Sequence, residues 1–146
     1  PAGVETEVFV YGRMPLAYSA RCFTARYHNL PKDDCQYRCL DDPEGLTLRT
    51  REDQAFLTLN GIQTQSAQTN NLLAELAELR ELNVDVLRIS PQAEGTETVI
   101  ESFAACVNGQ RDPLEAAQAL NVRLPYGACA GYWQGQAGLT PTAATA

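Results

Sequence analysis

The chain has 146 residues, 45% of them hydrophobic, enough for one domain to bury a core without covalent help. A net charge of −7 and a sequence pI near 4.6 argue against a dedicated nucleic-acid surface, which needs dense Lys and Arg. No apolar run approaches the roughly 20 residues of a membrane span, and no signal peptide is visible. The sequence starts at Pro1 rather than Met, so a targeting segment or much more is expected to precede it.

Taken in order, residues 6–11 (TEVFVY) predict a strand running into a tight turn at Gly12. Residues 16–27 predict a helix carrying Cys22, with a looped entry at Pro15 and Ser19. Residues 28–45 predict a loop with one turn around Cys35 and Cys39. Four apart on a helical turn, those two sulfurs would share a face. Residues 46–50 and 55–59 alternate as half-buried strands, and 61–66 predict a loop of amides and hydroxyls. Leu72, Leu73, Leu76, Leu79 and Leu82 mark an amphipathic helix, with Thr69 or Asn70 as its cap.

A strand is predicted at 84–89, stopped by Ser90-Pro91. Thr96 opens a helix whose apolar stripe is Val99, Ile100, Phe103, Cys106 and Val107. Asp112-Pro113 caps and starts a further helix to about Leu120. Trp133 is a packing residue of the glycine-punctuated ending, and 139–146 is expected to be a disordered tail. This order of strands and helices predicts an α/β fold with a parallel sheet, or part of a barrel. In such folds the polar residues that follow strand ends face the ligand site; here they are Arg13, Asn60, Gln63, Gln65, Arg88 and Ser90, for which a role as turn and capping residues is the open alternative.

Cys22, Cys35 and Cys39 have the spacing Cys-x12-Cys-x3-Cys, and residues 13–39 carry five Lys or Arg against Asp33 and Asp34. Thiolates are the metal-binding form, and nearby cations favour them; a four-thiolate cluster is itself anionic and suits a basic surround. His28, the one histidine, offers a Cys3His zinc site as an alternative. Disulfides or scattered buried thiols remain open as other readings, although five is an odd count. Cys106 and Cys129 read as core. HExxH, GxSxG, GxxxxGK[ST] and GxGxxG are all absent, so hydrolytic catalysis lacks its machinery.

Residues 7–22 (EVFVYGRMPLAYSARC) resemble the signature of the collagenase-like peptidase family, of the U32 type, through Glu7, Phe9, Gly12, Met14, Ser19 and Cys22. Pro15 stands where that signature has its first cysteine, and Arg13 replaces a small residue. GRMPLAYSARCF, CQYRC, LNGIQTQS, LRISPQ and GYW resemble the UbiV branch of the family over about residues 4–138. The resemblance implies the C-terminal half of a β/α (TIM-like) barrel, with a cysteine-bearing loop region. It also implies a 4Fe-4S cluster held by Cys22, Cys35 and Cys39, with a fourth cysteine outside this chain.

The same resemblance implies a heterodimer with a UbiU-like partner in the cytoplasm, hydroxylating a quinone precursor without oxygen during ubiquinone biosynthesis, and no protease activity. Asn60, Gln63, Gln65 and Arg88 are the expected substrate-binding residues. A half-barrel would need its open edges covered by the protein's own N-terminal half, a second copy or the partner. The alternatives are RNA hydroxylation by a relative of the same family, or a zinc-stabilised binding domain without catalysis.

Overall fold

The computed structural model describes residues 3–140; the tail expected at 139–146 lies, from residue 141 on, outside the described residues. Ten elements are strands or α-helices: β1 (Glu7–Tyr18), α1 (Phe23–Tyr27), β2 (Leu46–Arg49), β3 (Ala55–Asn60), β4 (Gln63–Asn71), α2 (Leu76–Glu81), β5 (Val86–Ile89), α3 (Thr96–Val107), α4 (Pro113–Asn121) and β6 (Ala128–Cys129). Short 3-10 turns sit at Lys32–Asp34, Arg38–Leu40 and Leu73–Glu75. The class is α/β, with an open six-stranded sheet of order β2-β3-β4-β1-β5 and β6 paired to β4.

The sheet is mixed, which corrects the expectation of a parallel one. β1 pairs with β5 and β4 with β6 in parallel, whereas β2–β3 and β3–β4 are antiparallel. The reason is loop length. Only Gly61 and Ile62 separate β3 from β4, and a parallel pair needs a crossover of a dozen residues or more. Gly61 has φ 59°, at the first central position of the two-residue hairpin, where a type II′ turn calls for glycine. The stretch 61–66, expected as loop, therefore holds the turn and the first half of a nine-residue strand. Thr69 and Asn70, expected as helix caps, are buried inside that strand.

The chain divides into two compact units, one formed by residues up to 12 with those from 69 on, the other by Arg13–Gln68. The first unit holds the core: Val10, Tyr11, Leu72, Leu73, Leu76, Leu79, Val99, Phe103, Cys106, Ala116, Ala117, Leu120 and Ala130. The expected leucine stripe and the α3 stripe both enter it, except that Ile100, Val107 and Leu82 stay exposed. Tyr11 and Phe103 meet edge to face with ring centroids 6.1 Å apart. Trp133 packs on this core and donates from Nε1 to Glu78 Oε2 at 2.7 Å, as a packing residue with a polar handle should.

Helix ends are set locally. Asp112 Oδ1 accepts the Glu115 N–H at 2.9 Å and Pro113 follows, as the sequence indicates. α1, α2 and α3 all stop with paired Schellman bonds over a left-handed residue: Asn29 (φ 55°), Asn83 (φ 54°) and Gly109 (φ 69°).

Burial separates Cys129 from ordinary thiols. Its pKa is pushed from 9.0 up to about 11 by desolvation, and burial raises Cys106 as well. Below about pH 9 both folded and unfolded chains hold the Cys129 proton, so its contribution to stability is fully present. Between about pH 9 and 11 only the folded chain holds it, and roughly 2–3 kcal/mol is lost as pH rises. Denaturant unfolding at about pH 8.5 and 10.5 should show this fall, and Cys129→Ala should flatten it.

Candidate functional site: three thiols in the Arg13–Gln68 unit

The second unit begins where β1 continues past Gly12. The sequence predicts a break there and a helix over 16–27, but the strand runs to Tyr18 and α1 spans only Phe23–Tyr27. Pro15 lies within the strand at an exposed position, which suits a residue without an N–H. Next to it Met14 N–H donates to Ser66 Oγ at 2.9 Å, a side chain standing in for a ladder acceptor. Arg13 is 7% exposed and pairs with Glu44 Oε2 at 3.1 Å while also donating to the Glu44 carbonyl, so it is anchored inside this unit.

The three sequence-predicted ligands come from this unit, and all three are free, half-buried thiols. Cys22 is the N-cap of α1, its Sγ accepting the Ala25 N–H at 3.4 Å. Cys35 closes the 3-10 turn Lys32–Asp34, and Cys39 sits inside the turn Arg38–Leu40. α1 packs against that second turn and against β3, and the segment is tied to the β3–β4 hairpin by Phe23 N–H to Gly61 O at 2.8 Å. Among the described residues no three His, Cys, Asp or Glu side chains converge closely enough to hold an ion by themselves.

One detail differs from the expected single turn. Gln36 and Tyr37 both have left-handed φ, 53° and 51°, so Cys35 and Cys39 stand on two turns joined by a left-handed corner. Neither residue is the Gly, Asn or Asp that such backbone favours, and each costs about 1–2 kcal/mol. Strain of this kind gathers at ligand clamps and switches.

The donor types suit a thiophilic metal or an iron–sulfur cluster: three unbridged thiols in a segment that also carries exposed Arg21 and Arg26, with Arg38 in an ion pair with Asp41 at 3.0 Å. Cys106 and Cys129 do not share these surroundings. They are buried in the other unit, and burial keeps both protonated. His28 caps the C-terminus of α1, its ring edge-on to Tyr27 at 5.1 Å; its Nε2 is buried with no hydrogen-bond partner.

Of the expected substrate-binding residues, three share one place. Asn60 and Gln63 face each other across the hairpin, and Gln65, two residues on, donates from Nε2 to Gln63 Oε1 at 2.7 Å. Thr58, opposite Gln65 on the same face, is fully buried with Oγ1 unpartnered. Arg88 belongs to the other unit, in β5, where its guanidinium meets Glu7 Oε1 at 2.6 Å on the surface. Ser90 follows β5, its N–H bonded to Tyr11 O at 2.8 Å. The left-handed pair at Gln36-Tyr37 and the buried amide strand were missed by sequence reasoning, because neither Gln nor Tyr signals positive φ and neither Gln nor Asn signals a buried strand.

No helix among the described residues is long and apolar enough to cross a membrane. The model of the family described as Peptidase family U32 matches residues 1–121. No solved structure matches the chain.

Proposed function

The chain belongs to peptidase family U32, and on that premise we propose that it is an iron–sulfur member of the family rather than a working protease. The observation that carries this reading is the set of three free, half-buried thiols in one basic segment, at Cys-x12-Cys-x3-Cys spacing. In this reading Cys22, Cys35 and Cys39 hold a 4Fe-4S cluster, and a fourth thiolate comes from outside these 146 residues. Cys106 and Cys129 are unsuited to that role because burial favours their neutral thiols. When bound, such a cluster supplies one-electron transfer.

The finer reading follows the sequence resemblance to the UbiV branch. The protein would act in the cytoplasm with a UbiU-like partner in oxygen-independent hydroxylation during ubiquinone biosynthesis. The residues of this chain would then do three things. The thiols hold the cluster; the exposed guanidinium groups of Arg21 and Arg26 stabilise its negative charge; and the amides of Asn60, Gln63 and Gln65 offer hydrogen bonds to ring substituents of the quinone precursor. β2 and β5 end the sheet, and in the half-barrel reading strands from elsewhere in the protein, a second copy or the partner extend it.

The test is genetic and chemical together. Cells lacking the protein should fail to accumulate hydroxylated quinone precursor when grown without oxygen, and the intact protein should restore it where Cys35→Ala does not. Normal quinone in the deleted cells would contradict the reading. The unpartnered Nε2 of His28 favours one second reading, a Cys3His zinc site, in which the protein purified without oxygen would carry zinc and no acid-labile sulfide.

A further inference from the structure

The corner between Cys35 and Cys39 has a conformation with chemical meaning. Cys35 is right-handed helical at φ −77°, ψ −8°, Gln36 turns to φ 53°, and Tyr37 is left-handed at φ 51°, ψ 36°. A right-handed residue followed by a left-handed one turns consecutive backbone N–H groups toward one concavity, which is how phosphates and many iron–sulfur groups are held. The turn is closed by the Arg38 N–H donating to Cys35 O at 3.3 Å. The N–H groups of Gln36 and Tyr37 donate to no atom among the described residues. Both side chains are exposed, so packing does not account for the left-handed pair. Water can satisfy two exposed amides in any conformation, and hydration gives no reason for this one.

We infer that the Cys35–Tyr37 corner is a backbone nest whose Gln36 and Tyr37 N–H groups hydrogen-bond the anionic sulfur of the group that Cys35 and Cys39 hold. The inference rests on the iron–sulfur reading above and assigns to the chain a tuning element besides its ligands. N–H···S bonds favour the more negative, reduced state of a cluster, so they raise its reduction potential. They also slow loss of metal from the thiolates they brace. The side chains of Gln36 and Tyr37 take no part; the backbone does.

The experiment removes one N–H and keeps every side chain. In the intact protein, reconstituted without oxygen, Tyr37 is replaced by its α-hydroxy acid, which turns the peptide N–H into an ester oxygen and keeps the phenol. Iron and sulfide content should match the unmodified protein. The reduction potential should fall, and iron should pass to a chelator about tenfold faster. Gln36→Gly keeps the amide and tolerates the left-handed φ, so it should behave as the unmodified protein. Gln36→Val opposes that φ and should share the ester's faults. An ester variant that binds iron and sulfide with unchanged potential and release rate overturns the nest and leaves the cluster reading standing. An unmodified protein that takes up no iron and sulfide overturns both.

Discussion

Alanine at Cys22, Cys35 or Cys39 should strip the intact protein of iron, while alanine at Cys106 or Cys129 should leave its iron unchanged. The split follows from environment. The first three thiols are half-buried and unbridged and lie in one basic segment, and on the iron–sulfur reading proposed above each loss removes a ligand. The other two are buried in a different unit, Cys106 on α3 within the core cluster and Cys129 in β6. Their replacement acts on stability instead, by a cavity cost of roughly 1–2 kcal/mol for a side chain of that size. Iron determination on the five anaerobically purified variants checks this. Loss of iron from Cys106→Ala with retention in Cys35→Ala would reverse the assignment.

Gly12→Ala should cost the fold about 3–5 kcal/mol, a large share of the 5–15 kcal/mol by which most domains are stable. Two independent penalties combine. Gly12 has φ 127°, backbone that side chains rarely adopt. A methyl group there would also stand 2.6 Å from Ser90 Cβ and 3.3 Å from the Ser90 carbonyl oxygen. Ser90 is fixed in that place because its N–H bonds Tyr11 O at 2.8 Å in continuation of the β1–β5 pairing. The double variant Gly12→Ala, Ser90→Gly should relieve the 2.6 Å contact, leaving those with Phe9 Cζ at 3.2 Å and the Ser90 carbonyl oxygen at 3.3 Å together with the backbone part. Denaturant unfolding of the single and double variants measures both, and a single-variant loss below about 1 kcal/mol would contradict the close approach.

How much of this was legible in the sequence depended on whether a signal was local. Asp112-Pro113 carries its own cap, and the leucine run and the α3 stripe carry their own periodicity; α4, the α2 region and α3 follow them, the last two without a side-chain cap. Gly12 was legible as a special position, though as a turn rather than a glycine inside a continuing strand. β4 was not legible. Its residues QTQSAQTNN have poor strand propensity, and they form a central strand because β3, β1 and β6 supply backbone partners on its sides. Asn70 and Asn71 are tolerated there because their side-chain amides find partners, Phe9 O at 3.1 Å and Asn121 Oδ1 at 2.8 Å.

The cysteine segment was half legible. Spacing and charge single out Cys22, Cys35 and Cys39 as candidates, and the structure puts all three in one unit, but the corner that joins the last two depends on φ angles that Gln36 and Tyr37 do not advertise. Likewise the sequence groups Arg88 with Asn60, Gln63 and Gln65 as residues at strand ends. In the structure Arg88 is taken up by Glu7, a diagonal neighbour across the parallel β1–β5 pair in which Phe9 stands opposite Arg88, and the three amides belong to an antiparallel hairpin. Strand direction, which sets where such residues point, is decided by loop length and pairing rather than by the strand's own residues.

The central claim is that this chain is built to hold an iron–sulfur cluster through Cys22, Cys35 and Cys39. Its most direct test is elemental and sulfide analysis of the intact protein purified without oxygen, with the reduced sample followed by electron paramagnetic resonance. The account predicts iron and acid-labile sulfide in equal amounts, with a cluster signal that disappears on exposure to air. Zinc without sulfide, or no bound metal at all, would contradict it.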